Sequence, residues 1–123
     1  MYKRNLLQSF KLAFEGIKFM FKIEKNMKVH SIIAIIVMAA SFLLKISHLE
    51  LLFICFSIAL VMVAEAANTA FELLLDFIHG DKFHPNVKIL KDIAAGGVFI
   101  AAINAILIGI IIFLPKLIKI IKL

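Results

Sequence analysis

Glu65, Asn68, Thr69, Glu72 and Asp76 follow one another at intervals of three, one, three and four residues. At about 100° per residue these positions share a sector of roughly 100° on one helix face. Three carboxylates, an amide and a hydroxyl therefore form a stripe. Yet its surroundings are apolar, with Val61-Met62-Val63-Ala64 before it and Leu73-Leu74-Leu75 within it. In a membrane such residues are costly, on the order of 2.5–3.5 kcal/mol for each charge at mid-bilayer, so a row of them points to a site. Hard oxygen donors without thiolates favour Mg²⁺, Mn²⁺ or Ca²⁺ over zinc. A carboxylate kept apart from the metal can orient and deprotonate a hydroxyl, and Lys91 is placed to neutralise phosphate charge. The same residues could instead line a proton or ion pathway, or simply hydrogen-bond between helices.

Composition decides the solvent. The 123 residues are 63% apolar and 18% charged, with a mean hydropathy of +1.07. Those values belong to an integral membrane protein of one domain, not to a soluble one. The formal net charge of +6 has no basic, aromatic-interleaved soluble region to carry it toward nucleic acid, and anionic lipid accounts for it better. Cys55 is the single cysteine, which excludes a disulfide framework or a cysteine metal centre. The first long apolar run opens only after about thirty residues that are themselves patterned, so no signal peptide is expected.

The elements that must position the stripe follow from periodicity. Leu6, Leu7, Phe10, Phe14, Ile17 and Phe21 alternate with Lys3, Arg4, Lys11, Glu15, Lys18 and Lys22 at helical spacing. This predicts an amphipathic helix lying on the membrane surface, within a segment 1–28 that also holds the polar approach to the first span. Residues 29–46 make a first span close to the ~20 residues a bilayer requires, and a short polar turn brings the second span, 51–76, back antiparallel. A cytoplasmic loop is expected over 77–92, with Gly80 and Pro85 as breakers. A third span follows over 93–114, where Pro115 ends it, then a basic tail over 115–123. The fold expected is all-α: one surface helix and three transmembrane helices. Asp92, just ahead of the third apolar run, reads equally as its N-cap.

Depth sorts the stripe. From Leu51, a hydrocarbon core of ~30 Å at ~1.5 Å per residue reaches about Ala70. Glu65 and Asn68 then sit just inside the boundary, and Glu72 and Asp76 at it or beyond. Antiparallel spans bring Glu24 to the same interface. Ten of the 14 Lys and Arg residues lie on that side, which the positive-inside rule places in the cytoplasm together with the N-terminus. Glu65 is at a depth that suits a hydroxyl carried by a lipid. Neither a Walker A loop nor a Gly-rich kinase loop with its H-R-D partner is present.

Several spaced motifs carry a resemblance. Glu65-x-x-Asn68-Thr69-x-x-Glu72-x-x-x-Asp76 is followed by His84-Pro85 and by Lys91-Asp92-Ile-Ala-Ala-Gly-Gly-Val. Ser9-Phe10-x-x-Ala13-x-x-Gly16-Ile17 and Glu24-x-Asn26-x-Lys28-x-His30 precede them. In this order they resemble the prokaryotic diacylglycerol kinase / undecaprenol kinase family, over nearly the whole chain. The resemblance implies a small membrane lipid kinase with a surface helix and three spans, working as a homotrimer with shared active sites. It implies ATP as phosphoryl donor with Mg²⁺, and a membrane lipid as acceptor. Glu65 would take the proton from the lipid hydroxyl, aided by Asn68, while Glu24 and Glu72 would hold the metal against the nucleotide. Asp76, His84, Lys91 and Asp92 match positions on the nucleotide side. The approach to the first span and the His-Pro to Lys-Asp region look more like members acting on undecaprenol than on diacylglycerol. An ion-pathway or assembly subunit remains the reading from another class.

Overall fold

The computed structural model describes residues 3–122; Met1, Tyr2 and Leu123, the extremes of the N-terminal segment and of the tail, lie outside them. Four helices follow in order: α1 (Leu6–Ile23), α2 (Lys25–Leu43), α3 (His48–His79) and α4 (Pro85–Lys122). No strand occurs among the described residues. The chain is all-helical, and α2, α3 and α4 are each long and apolar enough to cross a membrane.

Local chemistry sets the helix ends. Asn5 caps α1 by accepting from the Gln8 N–H at 2.8 Å, and the Gln8 side chain accepts the Asn5 N–H at 3.0 Å. This reciprocal pair satisfies two donors at the helix start. Ser47 and Glu50 repeat the device at the start of α3. Between α1 and α2 only Glu24 leaves helical geometry (φ −106°, ψ 111°), and that one extended residue turns the chain. Lys45 (φ 51°) reverses it after α2, and Gly80 (φ 76°) terminates α3 where a left-handed residue is needed.

Two boundaries differ from expectation. The loop expected over 77–92 shrinks to 80–84, because α3 continues to His79 and α4 already starts at Pro85. Proline is well suited to the first helical position, where its missing N–H is no loss. His84 caps this helix through Nδ1, which accepts the Asn86 N–H at 3.1 Å. Asp92 consequently lies two turns inside α4 and is not an N-cap. Nor does Pro115 end a helix, since α4 runs through it to Lys122. The turn after Pro115 is held by Lys116, whose Nζ donates to Glu50 at 2.7 Å and approaches the Ile112 carbonyl at 3.5 Å. That contact ties the end of α4 to the beginning of α3.

Packing places the polar residues. The most extensive interface joins α3 to α4, with α2 against α3 and α1 against α2. Ile54, Val61 and Leu75 of α3, Ala101 and Ile112 of α4, Met27 of α2 and Met20 of α1 are buried. Many large apolar side chains remain exposed instead, among them Phe56, Phe77, Phe99 and Ile100, as expected where lipid or further protein is the surrounding medium. Ser41 and Ser57 are buried but answer their own needs, each hydroxyl donating at 2.8 Å to the carbonyl four residues earlier. The polar residues of the stripe are different.

Candidate active site

Glu65 is the most deeply buried residue of the stripe, at 1% exposure. Its Oε2 lies 3.5 Å from Nε2 of His30 on α2, while its Oε1 has no partner. Asn68, one turn on, donates from Nδ2 to Glu72 Oε1 at 3.4 Å and leaves Oδ1 unpaired; the Thr69 hydroxyl is buried and unpaired as well. Leaving a buried polar atom unmet costs about 1–3 kcal/mol. Three such atoms within two helical turns argue against a row of packing hydrogen bonds. They have the form of a site awaiting polar groups from outside the chain.

Glu24 joins them from the α1–α2 junction. Desolvation, followed by the negative charges of Glu72 and Glu65, holds its carboxyl above the usual carboxylate range. Three carboxylates from two separate parts of the sequence thus share one field. Lys91 of α4 closes the shallow end, with Nζ 2.7 Å from Asp76 Oδ1. Its neighbour Asp92 faces elsewhere, pairing with Lys88 at 2.6 Å on an exposed face. His84 is exposed in the 80–84 connection, its ring edge-on to His79 with centroids 5.2 Å apart. Within one chain, then, the structure gathers Glu24, Glu65, Asn68, Glu72, Asp76 and Lys91, and leaves His84 and Asp92 at the periphery.

Two apolar cavities flank the stripe. One, of about 340 Å³, opens between α2, α3 and α4; His30 lies at one end and Gly109 and Phe113 toward the other, with Ala34, Val61 and Ala105 between. The second, of about 290 Å³, lies between α1 and α3, where Gly16, Met20 and Leu73 surround the Thr69 side. Small residues at Ala13, Gly16, Ala66 and Ala70 leave that room; a Cβ on Gly16 would meet no atom within 4 Å.

The donor set bears on the kind of cation that fits. No three His, Cys, Asp or Glu side chains converge into a closed ligand cluster among the described residues. Glu24 and Glu72 supply carboxylate oxygens within one another's field. One or two carboxylates, with the remaining positions left to water and phosphate oxygens, is the arrangement Mg²⁺ adopts beside nucleotides. The residues present fit such an ion. Glu24 and Glu72 would hold it.

Comparison with known proteins adds a separate line. A sequence model described as "Prokaryotic diacylglycerol kinase" matches residues 11–113. The chain belongs to the prokaryotic diacylglycerol kinase family. It is 39% identical over 110 residues to the undecaprenol kinase of Bacillus subtilis, covering 89% of each chain. It is 36% identical over 115 residues to the diacylglycerol kinase of Synechocystis sp., covering 94% of this chain and 66% of that one. A diacylglycerol kinase of Haemophilus influenzae is 33% identical over 97 residues, covering 79% of this chain and 81% of its own. Membership in this family makes the chain a membrane lipid kinase, and the three apolar helices agree with it.

Two residues of the site escape a reading by sequence alone. His30 enters there only as the last residue of the Glu24-x-Asn26-x-Lys28-x-His30 motif, yet it supplies the polar partner of Glu65. Thr69 reads as part of the stripe without a function, yet its hydroxyl is buried and free.

Proposed function

We propose that this lipid kinase transfers the γ-phosphoryl group of ATP to the primary hydroxyl of undecaprenol, giving undecaprenyl phosphate. A bond forms between the acceptor oxygen and phosphorus, the bond from phosphorus to the bridging oxygen of ADP breaks, and the hydroxyl proton passes to Glu65. The observation that carries this reading is the unpaired Oε1 of a buried Glu65, whose contact His30 lines an apolar cavity. A base at that depth suits a lipid-borne hydroxyl and ill suits a water-soluble acceptor. The cavity beside His30 has the character needed for hydrocarbon adjoining that hydroxyl.

Glu24 and Glu72 are the proposed holders of Mg²⁺, whose contribution when bound is to neutralise charge developing on the phosphates. Asn68 keeps Glu72 in place and presents a free carbonyl oxygen toward the site. Lys91, held by Asp76, supplies positive charge on the nucleotide side, with His84 and Asp92 as further nucleotide contacts. Asp76 has its own place there as the partner of Lys91. A homotrimer with shared sites is part of the proposal. It would give peripheral residues such as Asp92 a neighbour and would cover part of the exposed apolar surface. The excess of Lys and Arg on the side of the N-terminus and the 80–84 connection supports a cytoplasmic site in the bacterial plasma membrane.

Undecaprenol is preferred over diacylglycerol on the likeness to the Bacillus subtilis protein, whose length this chain matches most fully of the three relatives described. Diacylglycerol, giving phosphatidic acid, is the alternative acceptor, supported by the names of the other two. Purified protein in micelles, given labelled ATP, Mg²⁺ and either lipid in separate reactions, tests both. Label in undecaprenyl phosphate at the higher kcat/KM supports the first, and label in phosphatidic acid the second. Label in neither, with a pH-dependent conductance in vesicles, would return the carboxylates to an ion pathway.

A further inference from the structure

His30 is the one polar side chain of the chain, among the described residues, in contact with the Glu65 carboxylate. His30 is half-buried on α2, which packs against α3. Its Nε2 lies 3.5 Å from Oε2 of Glu65, leaving Oε1 as the free oxygen. The rest of the stripe offers no substitute. The Asn68 amide goes to Glu72, and the Thr69 hydroxyl bonds to nothing.

We infer that His30 is a positioning residue for the phosphoryl transfer, its Nε2–H holding Glu65 so that Oε1 alone meets the acceptor hydroxyl. The inference rests on the proposed role of Glu65 as the base. A carboxylate with one oxygen engaged loses a rotational freedom that would misalign the other, and near-attack placement is worth orders of magnitude in rate. Other charges stand near the pair. Glu24, from the α1–α2 junction, and Glu72 on α3 are both negative and share the field of Glu65. α4 contributes apolar residues to the cavity His30 borders, Ala102, Ala105 and Ile106 among them. On α2 itself, Lys25 and Lys28 are exposed. His30 therefore stands as the local donor opposing two negative neighbours.

Three variants separate this role from packing. His30→Leu removes the donor; His30→Asn keeps an amide that falls short of Glu65; His30→Gln places an amide near the position of Nε2. A hydrogen bond to a charged group is worth about 1.5–3 kcal/mol, or roughly 10- to 150-fold in rate. In micelles with saturating ATP and Mg²⁺, His30→Leu and His30→Asn should lose kcat by about that factor, with KM for ATP unchanged. His30→Gln should recover most of the rate. Wild-type behaviour of both His30→Leu and His30→Asn, or a His30→Gln variant no better than they are, overturns the inference. Should His30→Leu not fold, His30→Asn against His30→Gln makes the same comparison. Wild-type and Glu65→Gln controls keep the two levels apart. An inactive wild type, or an active Glu65→Gln, defeats the reading of Glu65 as base. Normal controls with indifferent His30 variants defeat this inference alone.

Discussion

Lys91 Nζ on α4 lies 2.7 Å from Asp76 Oδ1 on α3, joining the shallow end of the carboxylate stripe to the helix that follows the 80–84 connection. Both groups are a third or more exposed, and pairs of that kind contribute little to stability. Such a contact is better suited to holding a cation in place than to holding the fold together.

Replacing Lys91 should therefore separate binding from folding. Lys91→Ala is expected to raise KM for ATP about tenfold or more, the loss of one charge-assisted contact to phosphate, while thermal stability in detergent changes little. Asp76→Asn should produce a smaller rise, since it loosens Lys91 without removing it. Steady-state kinetics beside thermal unfolding checks both.

Glu65→Gln keeps shape and removes the base. Lipid phosphorylation should fall by about 10²- to 10⁴-fold, with helicity by circular dichroism and elution in detergent unchanged. Full activity would remove Glu65 from the reaction.

Glu24 offers a prediction with a pH sign. Its folded-state carboxyl is held above the ordinary value by desolvation and by the charges of Glu72 and Glu65. Over an interval upward from the usual carboxylate range, the folded chain keeps a proton the unfolded chain has lost. Metal-free stability accordingly falls as pH rises through that interval. Glu24→Gln should flatten this fall and raise the metal-free unfolding temperature at neutral pH. Added Mg²⁺ should stabilise the wild type more than the variant, and an equal Mg²⁺ effect in both would dismiss Glu24 as a ligand.

At the far end of the molecule, Lys116→Ala should break the bond to Glu50 that ties α4 to α3. Both side chains are less than a third exposed, so a small loss of stability is expected. A double-mutant cycle with Glu50→Gln reads it, and kcat should stay unchanged because the pair lies far from the stripe.

Orientation can be read with cysteine chemistry. In a Cys55→Ala background, a cysteine at Lys82 should react with an impermeant maleimide only when the cytoplasmic face is open. One at Ser47, in the α2–α3 turn, should react in intact cells. The reverse pattern would invert the topology.

Much of this protein was legible without coordinates, for a physical reason. In a bilayer the backbone must satisfy itself, so long apolar runs can only become helices, and the stripe from Glu65 to Asp76 lies on one face by period alone. Depth arithmetic likewise brought Glu24 toward Glu72, an approach reflected in the shifted Glu24 carboxyl. Helix ends were less legible. Pro115 reads as a stop, but a tertiary bond from Lys116 to Glu50 holds the turn beyond it; Asp92 reads as a cap, but Pro85 and His84 begin the helix two turns earlier. The partner of Glu65 was beyond sequence altogether. His30 and Glu65 are on different helices, and their meeting depends on how α2 packs against α3. Local periodicity determines which residues share a face. Only packing decides which faces meet.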